Sequence, residues 1–141
     1  MSINVTKGWP NGHASEMSYP VHTGVSVPEG AFVTLIDGGA GAPEWRLSVT
    51  GDLATDIMGQ ALDTNTTYGY DVRYAEKLPV VLKNYVAETD QFTGAAFAPG
   101  DLLSVDPAAP GKVHVQGVME LAIATVVEYD ATAGLLTLAR L

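Results

Sequence analysis

The chain has 141 residues, no cysteine, and 7 Lys plus Arg against 16 Asp plus Glu, a formal net charge of −9. That length predicts one domain with one core, the lack of Cys excludes disulfides, thiolate metal sites and thiol nucleophiles, and the acidic balance repels phosphate backbones and anionic membranes. No apolar run approaches the ~18 residues that span a bilayer, and the N-terminus lacks a signal-peptide pattern, so a soluble protein made in the cytosol is expected, with no nucleic-acid or membrane partner.

Only 16% of residues are charged while 47% are hydrophobic, against about 25% charged in ordinary globular proteins. With 15 Gly and 8 Pro as punctuation and few helix formers, this composition suits many short strands joined by tight turns.

Residues 1–30 carry Gly8, Pro10, Gly12, Pro20, Gly24, Pro28 and Gly30 and no apolar period, which predicts an extended N-terminal arm. Its apolar side chains, Trp9, Met17, Tyr19, Val21, Val25 and Val27, exceed what a solvated tail carries. The arm is therefore expected to lie on another surface, with Trp9, Met17, Tyr19, Val21 and Val25 as partner-binding anchors, or else to fold back on its own domain.

A single β-rich domain is expected over residues 31–141. Ala31 to Asp37 reads as a buried strand, closed by Asp37-Gly38-Gly39-Ala40-Gly41, where the Asp-Gly pair supplies a hairpin turn. Trp45 to Thr50 alternates Trp45, Leu47 and Val49 with Arg46, Ser48 and Thr50, the period of a strand. Asp52 to Leu62 fits a short helix with Leu53, Ile57, Ala61 and Leu62 on one side and Asp52 as N-cap, weakened by Gly59. Asp63 to Gly69 is a polar loop, Tyr70 to Tyr74 a short strand, and Leu78 to Val86 a strand with Pro79 near its start, where a missing N–H is tolerated. Strands at 102–106, 112–116, 119–129 and 135–141 complete an all-β barrel or sandwich.

Few residues carry chemistry. His13, His22 and His114 have no ligand spacing, so no metal and no cofactor are expected. His114, between Val113 and Val115 on a strand, should point to solvent. Asp52 and Asp56 would share a helix face, the spacing of an acid/base pair but more often of a solvated face. Gly38, Gly39 and Gly41 lack the basic residue of a phosphate loop, and no Gly-x-Ser-x-Gly elbow exists. Asp37, Asp101, Asp106, Glu128 and Asp130 read as turn carboxylates rather than a Ca²⁺ loop.

From Ala98 onward the order is Ala98-Pro99-Gly100-Asp101-Leu102-Leu103-Ser104-Val105-Asp106, a Gly-bearing turn, Lys112-Val113-His114-Val115, then Ala122-Ile123-Ala124-Thr125-Val126-Val127-Glu128-Tyr129, and Gly134-Leu135-Leu136-Thr137-Leu138. This resembles the head decoration, or capsid cement, proteins of tailed phages. The resemblance implies a small β-barrel or β-tulip domain that binds the outer face of an assembled capsid and stabilises it, a non-enzyme located on the virion. Its implied partners are the major capsid protein and copies of itself, as a homotrimer. Residues 52–77 match no part of that pattern. Two other readings stand beside it: another virion β-module of the tail, fibre or carbohydrate-binding kind, for which aromatic rings should cluster on the folded body, and a trimeric hydrolase resembling the dUTPases, whose phosphate motifs are not visible.

Overall fold

A computed structural model of the chain describes residues 4–7, 16–53, 56–64 and 77–140, the first of these as backbone only. The described residues form strands β1 (Asn4–Lys7), β2 (Glu16–Tyr19), β3 (Phe32–Asp37), β4 (Pro43–Leu47), β5 (Met58–Ala61), β6 (Leu78–Val81), β7 (Tyr85–Thr89), β8 (Leu102–Val105), β9 (Val113–Val115), β10 (Ala124–Asp130) and β11 (Leu135–Arg140). The protein is all-β, and among the described residues there is no helix. Two antiparallel sheets carry the strands, one in the order β1-β7-β11-β10-β8-β9 and the other β2-β6-β5-β3-β4. Neither closes on itself, so the barrel expectation is corrected to two sheets sharing a core. The near approach to closure is a single bridge, Val21 to Trp45, which joins the end of β2 to β4.

Strand alternation splits the apolar residues into two clusters, because successive side chains leave a strand on opposite faces. Phe32, Met58 and Val81 point from the five-stranded sheet toward Tyr85, Leu103, Val126, Leu136 and Leu138 of the six-stranded one. Their neighbours Val33, Ala61 and Val80 point the other way, into a second cluster with Val27, Trp45 and Leu78. One core was expected and two are present, because the five-stranded sheet is covered on both faces. The cover on its outer face is the segment from β2 to Val27: Met17, Tyr19, Val21 and Val25 pack on the second cluster, and Val27 is fully buried.

From Glu16 onward this segment takes the second of the two courses expected for the arm and folds back on its own domain. Strand β2 pairs with β6 from Glu16↔Val81 to Tyr19↔Leu78, and β1 pairs with β7. Beyond β2, the Trp45 N–H donates to Pro20 O at 2.8 Å and the His22 N–H to Trp45 O at 2.9 Å. The backbone groups of a Pro-interrupted chain are thus satisfied by its own domain, which periodicity in a short window does not reveal.

Three further expectations change. The helix over Asp52 to Leu62 is absent: residues 54 and 55 lie outside the described ones, and Met58–Ala61 is strand β5, paired with β3 and β6. Gly59, which weakened the helix reading, has a structural cause, since a Cβ there would collide with Val81 O across the β5–β6 pair. The strand expected over Leu78 to Val86 is two strands in different sheets, separated at Leu82–Asn84, where Asn84 takes φ 63°. In the β3–β4 hairpin the positive φ falls on Gly39, Ala40 and Gly41 rather than Gly38, and the Asp37 carboxylate accepts the N–H of Gly39 at 2.9 Å and of Gly41 at 3.0 Å. The strand expected over Tyr70 to Tyr74 and most of the loop before it lie outside the described residues.

Polar groups tie the sheets where apolar packing alone would leave them free to slide. Gln60 donates to Gly30 O at 3.0 Å and accepts from Tyr85 Oη at 2.7 Å. Arg140 donates to Met58 O and sits 5.7 Å from the centre of the Phe32 ring. Burial pushes the Tyr85 phenol up and the Arg140 guanidinium down, as desolvation disfavours each charged form.

Candidate partner-binding site

The turn between β9 and β10 presents the largest exposure of apolar side chains among the described residues. Val118 and Met119 are 94% and 96% exposed, where a scattered surface apolar residue usually keeps part of its area covered. Val115 and Leu121 flank them in sequence and are themselves exposed. The Gln116 N–H donates to Leu102 O at 2.8 Å, which brings the exposed Leu102 to the same edge.

One carboxylate builds this turn. Glu120 Oε1 accepts the Gly117 N–H at 2.7 Å and pairs with His114 Nε2 at 2.7 Å, while Glu120 O accepts from Gln116 Nε2 at 2.7 Å. The Gly117 N–H above all, joined by the imidazole, holds the Glu120 carboxyl below its ordinary value, against desolvation and the nearby Asp106 charge, which push it up. Asp106 is itself held low, first by the Thr93 hydroxyl at 2.5 Å and then by the Ala108 N–H. His114 was expected at the surface and is instead half-buried against Glu120.

Beside this turn lies an open groove of about 310 Å³, with Gly94, Ala95 and Ala96 on one side, His114 and Val115 on the other, and Phe97 contributing to its lining. Phe97 stacks edge-on against Phe92 and Tyr129 with centroids 5.4 and 5.0 Å away, so its ring is anchored rather than free to swing. A separate cleft of about 240 Å³, lined by Met17, Ile57, Met58 and Leu82 with Lys83, Asn84 and Asp56, opens at the β6–β7 turn.

The residues singled out as anchors are distributed differently. Met17, Tyr19, Val21 and Val25 come together on the protein's own second core, and Tyr19 meets the buried Trp45 edge-on with ring centroids 6.3 Å apart. Trp9 lies outside the described residues. Asp52 and Asp56 do not form an acid/base pair in a cleft. Asp52 accepts from Arg46 through both oxygens, at 2.7 and 2.8 Å, and Asp56 accepts the Leu53 N–H at 2.8 Å.

The turn reading holds for Asp37, for Asp101 with the Ala98 N–H, for Asp106 with the Ala108 N–H and for Asp130 with the Thr132 and Ala133 N–H groups, but not for Glu128, which stands within β10 opposite Thr137. Among the described residues no three His, Asp or Glu side chains are arranged to hold a metal ion, and no helix is long and apolar enough to cross a membrane.

Sequence reasoning missed the Val118–Met119 turn because Met119 to Tyr129 reads as one strand after Gly117. The available signal was an apolar pair directly behind a glycine and three residues ahead of any β-branched alternation. No protein-family model and no curated protein matches the chain.

Proposed function

We propose that the protein is a non-enzymatic virion component that binds the outer surface of an assembled phage capsid and stabilises the shell, with the major capsid protein as partner and further copies of itself around it. The observation that carries this reading is the Val118–Met119 turn, two adjacent apolar side chains that are almost wholly exposed. Side chains of that kind gain free energy only when a second surface covers them. The sequence resemblance from Ala98 onward supports the choice of partner, because the β8 to β11 segment that carries it also carries the turn. A carbohydrate-binding module has less support: Trp45 and Tyr85 are buried, and of the partly exposed ring cluster Phe92, Phe97 and Tyr129 only Tyr129 carries a polar group.

Co-sedimentation with purified empty phage shells tests the reading. The wild-type protein is expected to pellet with shells at saturable stoichiometry and to raise their resistance to heat. Met119→Glu and Val118→Asp are expected to weaken binding about tenfold or more, the cost of placing a charge in a central contact. Binding that is absent in the wild type, or unchanged in both variants, overturns the reading.

A further inference from the structure

We propose that Glu120 is a positioning residue that holds Val118 and Met119 out as a preformed tip, an inference that rests on the docking role given to that turn above. Gly117 to Glu120 is a four-residue turn closed by the Glu120 N–H on Gly117 O at 3.3 Å. Met119, its third residue, takes φ 67°. A positive φ at that place is the mark of a type II turn, which favours Gly or Asn and is costly for a long L side chain. Unaided, the segment Gly-Val-Met-Glu has little reason to hold this shape.

The Glu120 side chain supplies the reason. Its Oε1 reaches back to the Gly117 N–H and across to His114 Nε2, both at 2.7 Å, so one atom ties the first residue of the turn and the edge strand β9 to the last. Gln116 closes the other side by donating to Glu120 O. Gly117 leaves room for this, since a Cβ there would lie 3.0 Å from Glu120 Oε1.

The titratable groups facing the carboxylate are His114 of β9, which attracts it when protonated, and Asp106 after β8, which repels it when ionised. Strain held at an exposed apolar residue by bonds that contribute nothing to either core is an arrangement suited to presentation. A tip fixed before contact avoids most of the ordering entropy that a loose loop loses on docking.

Wild type, Glu120→Ala, Glu120→Gln and Met119→Glu separate the claims, with amide exchange at Gly117 and shell co-sedimentation as readouts. Glu120→Ala is expected to speed Gly117 exchange and weaken shell binding, each about tenfold, with the melting temperature of the domain unchanged. Glu120→Gln keeps an acceptor oxygen and is expected to restore most of both. Lowering the pH through the depressed Glu120 titration is expected to loosen the wild-type turn more than that of the Gln variant, which shares only the losses at Asp52 and Asp106. Met119→Glu is expected to weaken binding about tenfold or more while leaving Gly117 protected.

A Gly117 amide that stays protected in Glu120→Ala overturns the positioning role. Faster exchange with wild-type shell binding in Glu120→Ala, while Met119→Glu still weakens binding, overturns the link between tip order and docking. Wild-type binding by Met119→Glu sinks the docking reading instead, and the exchange data then judge Glu120 by themselves.

Discussion

Asp52 shows how a residue that resembles a catalytic acid is spent on structure. Its carboxylate accepts from Arg46, from the Val49 N–H at 3.0 Å and from Thr34 Oγ1 at 2.9 Å, and Thr34 in turn meets the fully buried Ser48 Oγ at 2.8 Å. Burial alone pushes the Asp52 carboxyl up, but the hydrogen bonds from Arg46, Val49 and Thr34 outweigh it and hold the group below its ordinary value. The stabilisation is therefore fully present above the ordinary carboxylate pKa and is lost as pH falls through the depressed one. Asp52→Asn is expected to lower stability at neutral pH and to flatten the loss of stability on acidification, as read by urea titrations from pH 6 down to about 2. Equal acid slopes in the two proteins would remove Asp52 from the account. Tyr85→Phe leaves Gln60 Oε1 without its buried donor, which is expected to cost about 1–3 kcal/mol in the same assay.

At the scale of elements, the decisive piece is β2 with the chain that follows it to Val27. It contributes a strand to the five-stranded sheet, a bridge to Trp45 and the cover of the second core. Deleting residues 1–27 exposes Val33, Val80 and Trp45, each fully buried in the intact protein. At about 1.5–3 kcal/mol for each large apolar side chain returned to water, the truncated protein is expected to unfold or to melt many degrees lower. A truncated protein that melts like the full chain would show that the second core is dispensable. Gly59→Ala probes the opposite limit, because its methyl meets the backbone of Val81. It is expected to destabilise by about 1–3 kcal/mol through overpacking, although Ala is the better residue by conformational entropy.

For the molecule as a whole, two cores back to back across one sheet make the central strands β3, β5 and β6 the common wall of both. Trp45→Ala empties the second core and is expected to cost about 3–5 kcal/mol, with the six-stranded sheet losing its order in the same transition because the wall is shared. Separate opening of β2 and β11 by amide exchange in the variant would show instead that the cores come apart independently. The turn carrying Val118 and Met119 stands outside both cores, which is why its variants are expected to change binding and leave the melting temperature alone.

The strand class, the presence of the β3–β4 hairpin, the short strands after Ala98 and the turn role of Asp37, Asp101, Asp106 and Asp130 were legible in the sequence, because alternation and local side-chain-to-backbone bonds act over a few residues. The second hairpin strand is Pro43–Leu47 rather than Trp45 to Thr50, with Ser48 buried and Val49 exposed. The fate of residues 16–30, the division of 78–86 into two sheets, the strand at 58–61 and the outward turn at 117–120 were decided by tertiary structure. Each depends on a partner distant in the chain or on a backbone shape that hydropathy does not encode: Val80 and Trp45 for the N-terminal segment, Val81 O for Gly59, and one carboxylate for Met119. A pattern read over ten residues records which side chains avoid water, and only the assembled sheets determine what covers them.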